Sequence, residues 1–345
     1  MTLDDDNFST RIIAAIDAKT KPVGALGDIE DLAFRLARIQ GSLEPKAETC
    51  SLMIFAGDHG MAEAGVSAYP QAVTRQMVLN FLNGGAAANV FARSVGADVQ
   101  VIDAGIAGDL IEHPGLIDRR TASGTKNAID TPAMTFAQAK AAVSAGIELG
   151  TTQDTDVVCF GEMGIGNTSA ASLVAAKVLG VPVDDLVGRG TGLEDDGMTR
   201  KRALLNRAAA RTDNKLKVMD ALSEYGGFEI AMIAGAMKSA ARTGRIIAVD
   251  GFIASTAALC ARELSPGCEE NFIFAHRSAE AGHARILKAL GAVPLLDLNM
   301  RLGEGTGALL AFPLIKAAAA MLRDMASFES ANVSGPVSAN TGDTP

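Results

Sequence analysis

Six short apolar, β-branched runs recur along this chain, separated by alanine-rich stretches of helical character, and that alternation constrains the fold more than any other feature. The runs are Leu52–Ala56, Val99–Asp103, Val157–Phe160, Ile246–Asp250, Asn271–Ala275 and Val293–Asp297. Near-continuous apolar runs of this length read as strands buried on both faces, and their alternation with helices predicts a parallel sheet covered on each side. The expected class is α/β: an open, mostly parallel, Rossmann-like sheet with helices on both faces. Glycine and polar residues follow the runs: Gly57-Asp58-His59-Gly60, Ala104-Gly105, Gly161-Glu162, Gly251, His276-Arg277-Ser278 and the Leu298–Glu304 loop. They collect on the carboxyl edge of the sheet, where open α/β proteins bind their ligands.

With Trp 0, Tyr 2 and Gly 36 in 345 residues, the core must be aliphatic and closely packed. A charged fraction of 21% is too low for a disordered chain. The net charge of -9 and the lack of a basic, aromatic-interleaved patch argue against nucleic acid as a partner. Cys50, Cys159, Cys260 and Cys268 form no Cys-x-x-Cys pair, a pattern suited to a reducing cytoplasm. The acidic N-terminus lacks the apolar core of a signal peptide. Lys316 and Arg323 interrupt the apolar stretch near the C-terminus, so no membrane span is expected.

Both ends of the chain differ from its middle. Phe8–Ala18 and Ile29–Ile39 read as helices, and so does the stretch Leu309–Phe328. The expected division is a small helical domain from 1–45 and 309–333, a large α/β domain over 46–308, and a disordered tail over 334–345.

Two glutamates stand out because each sits in a glycine-rich turn directly after an apolar run: Glu162 in Gly161–Thr168, and Glu304 in Arg301–Gly307. Either could cap the following helix; either could also offer a carboxylate for proton transfer or for stabilising a cation. Gly161–Thr168 places backbone N–H groups, Asn167 and Thr168 at a helix mouth, which suits an anion but equally suits a tight turn with an N-cap. It has neither a Walker lysine nor Gly-x-Gly-x-x-Gly order. In Gly188–Gly192, followed by Lys201, a phosphate cradle and a solvated helix start are both open. Asp58-His59-Gly60 has no second histidine at metal-ligand spacing, and no nucleophile elbow is present, so a metal centre or serine triad is disfavoured.

Thr20-Lys21-Pro22, Phe55–Gly60, Gly65-Val66-Ser67, Asp103-Ala104-Gly105, Gly161–Thr168, Gly188–Gly192, Asp250-Gly251, His276–Glu280 and Arg301–Gly307, in this order, resemble the nicotinate-nucleotide–dimethylbenzimidazole phosphoribosyltransferases of cobalamin lower-ligand synthesis. The matches extend from about Asp17 to Gly335. The resemblance implies a homodimer that moves the phosphoribosyl group of nicotinate mononucleotide to 5,6-dimethylbenzimidazole, giving α-ribazole 5′-phosphate and nicotinate, with no cofactor and no metal.

By the same resemblance, Glu304 is the general base and Glu162 supports the charge developing at C1′. Ser67, Tyr69, Gln76 and Leu302 receive the benzimidazole. Gly164, Gly166, Asn167, Lys201 and Ser278 hold the ribose phosphate, with Gly190, Thr191 and Asp250 nearby. Two rival readings are a nicotinamide-dependent oxidoreductase, for which the glycine order is wrong, and a non-catalytic nucleotide-binding module, which needs neither glutamate.

Overall fold

The structure, a computed structural model, describes residues 3–190 and 192–335. Thr191, and all of the expected tail except Ser334 and Gly335, lie outside the described residues.

All six strands are parallel. β1 (Cys50–Gly57), β2 (Asp98–Gly105), β3 (Leu116–Asp118), β4 (Val157–Met163), β5 (Ile246–Val249) and β6 (Phe272–Phe274) stand in the order β3-β2-β1-β4-β5-β6. Each residue of β1 is buried, as its unbroken apolar sequence requires of a central strand. Chain order reverses between β1 and β4, so the loops leaving these neighbours diverge and open a crevice at the carboxyl edge.

Twelve helices occur among the described residues. α1 (Leu3–Asp17) and α2 (Asp28–Gln40) precede the sheet; α3 (Ala72–Leu82) and α4 (Ala87–Val95) connect β1 to β2. α5 (Phe136–Thr151) leads into β4, and α6 (Asn167–Leu179) leaves it. α7 (Asp195–Ala209), α8 (Val218–Tyr225) and α9 (Phe228–Arg242) follow before β5; α10 (Phe252–Leu264), α11 (His283–Leu290) and α12 (Thr306–Asp324) complete the chain.

The aliphatic composition is used most fully where α5 meets α9. A Cβ on Gly146 would lie 2.0 Å from the Met232 carbonyl oxygen, and one on Gly235 would lie 2.1 Å from that of Val143. Backbones this close admit no side chain, which explains glycine in helix interiors where it is otherwise unfavourable. The start of α5 is fixed by a capping box: Thr135 Oγ1 accepts from the Gln138 N–H, and Gln138 Oε1 accepts from the Thr135 N–H.

Two compact units are present. The larger runs from Glu48 to Pro313 and contains the sheet. The smaller comprises the described residues up to Ala47 together with those from Leu314 on. Within the smaller unit, Lys21 pairs with Glu30 at 2.9 Å, and Lys19 bridges antiparallel to Ser327. α12 is long and apolar enough to cross a membrane by composition, but 61% of its most apolar window is buried within the protein, as befits a core helix.

One expected strand is corrected. Val293–Asp297 forms no strand; it contributes a single parallel bridge, His276 with Leu296. Pro294 supplies no N–H, and Val293 is 75% exposed, so the segment is neither able to complete a ladder nor buried enough to need one. The sixth strand is instead β3, a three-residue edge strand too short to carry a periodic signal.

Candidate active site

A cleft of about 630 Å³ opens at the carboxyl edge, within the range that accommodates a small-molecule ligand. Its apolar lining comes from Tyr69, Val73, Met77, Phe252, Ile253 and Leu302. The floor carries Glu162, Asp250 and Glu304, and the polar end carries Thr168, Gly190, Ser278 and Glu280. Loops after β1, β4, β5 and β6 thus converge with the loop before α12.

Both glutamates reach this cleft from buried positions, each about 6% exposed. Glu304 lies in left-handed backbone at φ 63, between Gly303 at φ 84 and Gly305 at φ 79. A left-handed glutamate is strained, and the flanking glycines let the turn form around it. Its carboxylate accepts the backbone N–H of Ala88 at the start of α4, while Oε2 is left without a partner. Burial, together with the negative charge of Asp250, pushes the Glu304 carboxyl up to about 7.

Glu162 closes β4. Asn167 Nδ2 donates to its Oε2, and the Glu304 backbone N–H also donates to the carboxylate. Burial pushes it up to about 8, with Asp250, Glu229 and Glu304 adding like charge. Asp250 is raised by burial too, but His276, 3.6 Å away, and the backbone N–H groups of Ala308, Gly307 and Gly305 oppose the rise. Carboxyls held near neutrality in a cleft are suited to proton transfer at physiological pH.

The turn Gly164–Gly166 rests on a buried pair. His59 Nε2 lies 2.8 Å from Glu229 Oε1, both side chains fully inaccessible. Burial works against the charge on His59, but Glu229, aided by Asp58, overcomes it and raises its pKa. A Cβ on Gly166 would sit 3.2 Å from that of His59, so the histidine supports the turn from behind and is closed to any ligand.

Of the residues singled out from sequence, Glu162, Glu304, Tyr69, Leu302, Gly164, Asn167, Gly190, Asp250 and Ser278 line the cleft. Four are set back from its surface. Ser67 Oγ accepts from the Tyr69 N–H, and Gln76 on α3 is exposed. Gly166 is the N-cap of α6. The Lys201 Nζ lies behind Gly190, donating to the Gly188 carbonyl at 3.0 Å and to Thr168 Oγ1 at 3.2 Å; burial lowers it to about 8. Thr191 lies outside the described residues.

Sequence reasoning missed Val73, Met77, Met163 and Phe252, which give the cleft much of its apolar surface. The spacing held a signal for two of them. Val73 and Met77 stand four residues apart on one face of α3, whereas Gln76 is about 100° round from Met77.

The parallel sheet and the crevice at its switch point, lined by buried carboxyls, define an α/β protein with a cleft of ligand-binding size at the carboxyl edge. A phosphoribosyltransferase family pattern matches residues 2–333. The chain is 50% identical over 340 residues to the nicotinate-nucleotide–dimethylbenzimidazole phosphoribosyltransferase of Dechloromonas aromatica (strain RCB), covering 97% of this chain and 98% of that one. It is 50% identical over 333 residues to the enzyme of the same name from Cupriavidus necator, covering 96% of each. The crystal structure of CobT from Thermus thermophilus superposes with a TM-score of 0.92 at 44% identity, over 95% of this chain and 99% of that one. The chain therefore belongs to the nicotinate-nucleotide–dimethylbenzimidazole phosphoribosyltransferase family, and it is an enzyme; the oxidoreductase and binding-module readings fall away.

Proposed function

We propose that this enzyme transfers the phosphoribosyl group of nicotinate mononucleotide to 5,6-dimethylbenzimidazole, forming α-ribazole 5′-phosphate and nicotinate for the nucleotide loop of cobalamin. The observation that carries the reading is the pair Glu162 and Glu304, both buried on the cleft floor and titrating near 8 and near 7. The C1′–N bond to the pyridinium breaks, and its electron pair neutralises the departing nicotinate. A benzimidazole nitrogen forms the new bond from the opposite face, inverting C1′, and the N–H proton of the ring passes to Glu304. A base of pKa near 7 is matched to that transfer, because it is ionised at working pH and still basic. Glu162, protonated in the empty cleft, ionises when the pyridinium cation arrives and then faces the positive charge at C1′.

The apolar lining of Tyr69, Val73, Met77 and Leu302 suits a flat aromatic acceptor; we assign Ser67 and Gln76, set back from that surface, to the acceptor side. The phosphate lies toward Gly164, Gly166, Asn167, Gly190 and Ser278, with Lys201 behind Gly190; the N-terminus of α6 favours an anion there. We assign 46–308 to the catalytic domain, since every residue lining the cleft falls between Tyr69 and Glu304. We read the enzyme as a cytoplasmic homodimer; its four free, buried cysteines suit a reducing compartment, and sedimentation tests the dimer. The direct test is a chromatographic assay of purified enzyme with nicotinate mononucleotide, with and without 5,6-dimethylbenzimidazole. Acceptor-dependent release of nicotinate with α-ribazole phosphate supports the reading; release that ignores the acceptor rejects it.

A further inference from the structure

Glu280 has no part in the transfer described above, yet it lies between the cleft and a second cavity of about 620 Å³, lining both. It is 7% exposed. Its carboxylate accepts the backbone N–H of Gly190, and its own backbone N–H donates to Ser278 Oγ at 3.3 Å. Oε2 is buried and has no hydrogen-bond partner. A carboxylate kept only for structure has both oxygens satisfied, since an unpaired buried acceptor is costly.

The neighbouring cations do not fill the gap. Lys201 on α7 is committed to the Gly188 carbonyl and Thr168 Oγ1. Arg301 Nη1 donates to the Gly190 carbonyl at 2.9 Å. Across the second cavity stand Arg189, Asp195 and Arg202, with Arg189 paired to Asp195. At the start of α11, the His283 ring accepts the Ser278 N–H, its pKa lowered to about 3 by burial and by His276 and Arg277. Gly188 makes the room: a Cβ there would lie 1.9 Å from Glu280 Oε2. One negative group is thus held, half satisfied, among donors at the polar end of the cleft.

We propose that Glu280 is a resident anion, standing in for the ligand's phosphate on the Gly190 N–H, and that binding of a phosphomonoester displaces it and drives its carboxylate to take up a proton from solvent. The inference rests on the reading that the nucleotide's phosphate lies at the Gly190–Ser278 end. Burial already raises the Glu280 carboxyl against the opposing pull of Lys201, the Gly190 N–H and Arg301. A phosphate beside it raises it further, because two like charges resist sharing one site.

The test is calorimetric titration of wild type and Glu280→Gln with nicotinate mononucleotide at pH 7.5, in buffers of different ionisation enthalpy. Protons taken up by the ligand phosphate are common to both proteins. Glu280 also keeps the Lys201 ammonium charged, so its removal makes Lys201 take up more on binding, and a larger uptake by wild type can come only from Glu280. Wild type should take up roughly half a proton more than the variant, and the variant should bind several-fold more tightly at pH 8, the gap closing by pH 6. Gly188→Ala, whose Cβ evicts the carboxylate, should show the variant's lower uptake. Equal uptake in wild type and Glu280→Gln, or tenfold weaker binding by the variant, overturns the inference. Inorganic sulfate, which has no titrating proton near neutrality, is run as a second probe under the same criterion; if neither probe binds, the inference also fails. Assaying the same samples for transfer separates the two readings: an uptake difference without α-ribazole phosphate sinks only the transfer, and transfer without an uptake difference sinks only the resident anion.

Discussion

The backbone N–H of Glu304 donates to the side chain of Glu162, so the two cleft carboxylates are tied through one residue's main chain. Glycine makes the contact possible from both sides. A Cβ on Gly161 would lie 2.5 Å from the Glu304 carbonyl carbon, and one on Gly303 would lie 2.3 Å from Glu162 Oε1. Gly161→Ala must therefore push the Glu304 turn away from β4. Overpacking of this kind costs about 1–3 kcal/mol, a loss readable in the denaturation midpoint. Transfer should fall by more than stability alone explains, while nucleotide binding changes little; an active Gly161→Ala enzyme would show that the two turns need not be in register.

Replacing the proposed base separates the roles of the pair. Glu304→Gln preserves shape but cannot accept a proton, so turnover should fall by about 10²–10⁴-fold, the usual worth of a positioned general base. Nucleotide affinity should stay within a few-fold. The loss should shrink with acceptors whose ring N–H is more acidic, because these need the base less. Glu162→Gln should also lower turnover, but by a factor that does not follow acceptor acidity. A Glu304→Gln enzyme with wild-type turnover would transfer the role of base elsewhere.

The rate should rise with pH. If Glu304 is the base it works ionised, and its carboxyl is pushed up to about 7 and that of Glu162 to about 8 in the free enzyme; kcat/KM should therefore climb through pH 7 to 8 before levelling. With the pyridinium cation bound, both carboxyls are pulled down, so the corresponding rise in kcat should lie at lower pH than that in kcat/KM. The Lys201 ammonium, lowered to about 8 by burial, has lost most of its charge by about pH 9, and nucleotide KM should increase over that range. Parallel profiles for kcat and kcat/KM, measured over pH 5.5–9, would count against a substrate cation acting on these groups.

Stability should move the other way. The folded pKa of Glu304, about 7, stands above the ordinary value of 4.5, so the native state binds the proton more tightly than the unfolded chain. Its contribution is most favourable below about 4.5, declines as pH rises toward 7, and is flat above that. Glu304→Gln removes the cost of the buried charge. The variant should be more stable than wild type at pH 8, by on the order of 2 kcal/mol, and no more stable near pH 5. Urea unfolding at the two pH values gives the sign directly.

Five of the six sheet strands were legible because buried parallel strands leave unbroken apolar runs, β1 most plainly. The edge was not legible. Val293–Asp297 has strand composition, but Pro294 and exposure override it, whereas Leu116–Asp118 pairs with Val101–Asp103 on only three residues. The glutamates could be found because glycines surround them, and those glycines are explained by close approach and left-handed backbone. The apolar lining was hidden for the opposite reason: Val73, Met77 and Phe252 look like any core residue, and only the packing of α3 and α10 shows that they face a cleft. Lys201 reads as a free cation in sequence, yet two hydrogen bonds consume it behind Gly190.

A last prediction concerns how the Gly164–Gly166 turn, the proposed phosphate site, is held. The Ile165 N–H, in the middle of Gly164–Gly166, donates to Thr74 Oγ1 at 3.1 Å, and Thr74 on α3 is fully buried. Thr74→Val keeps the volume but leaves that N–H unpaired, a cost of about 1–3 kcal/mol. The turn then loses its fixed orientation toward the ligand, so nucleotide KM should rise several-fold with a smaller change in kcat. Thr74→Ser restores the acceptor and should recover most of the affinity; recovery distinguishes the hydrogen bond from packing, because serine lacks the methyl that valine retains. If Thr74→Val binds nucleotide as wild type does, α3 plays no part in setting the turn.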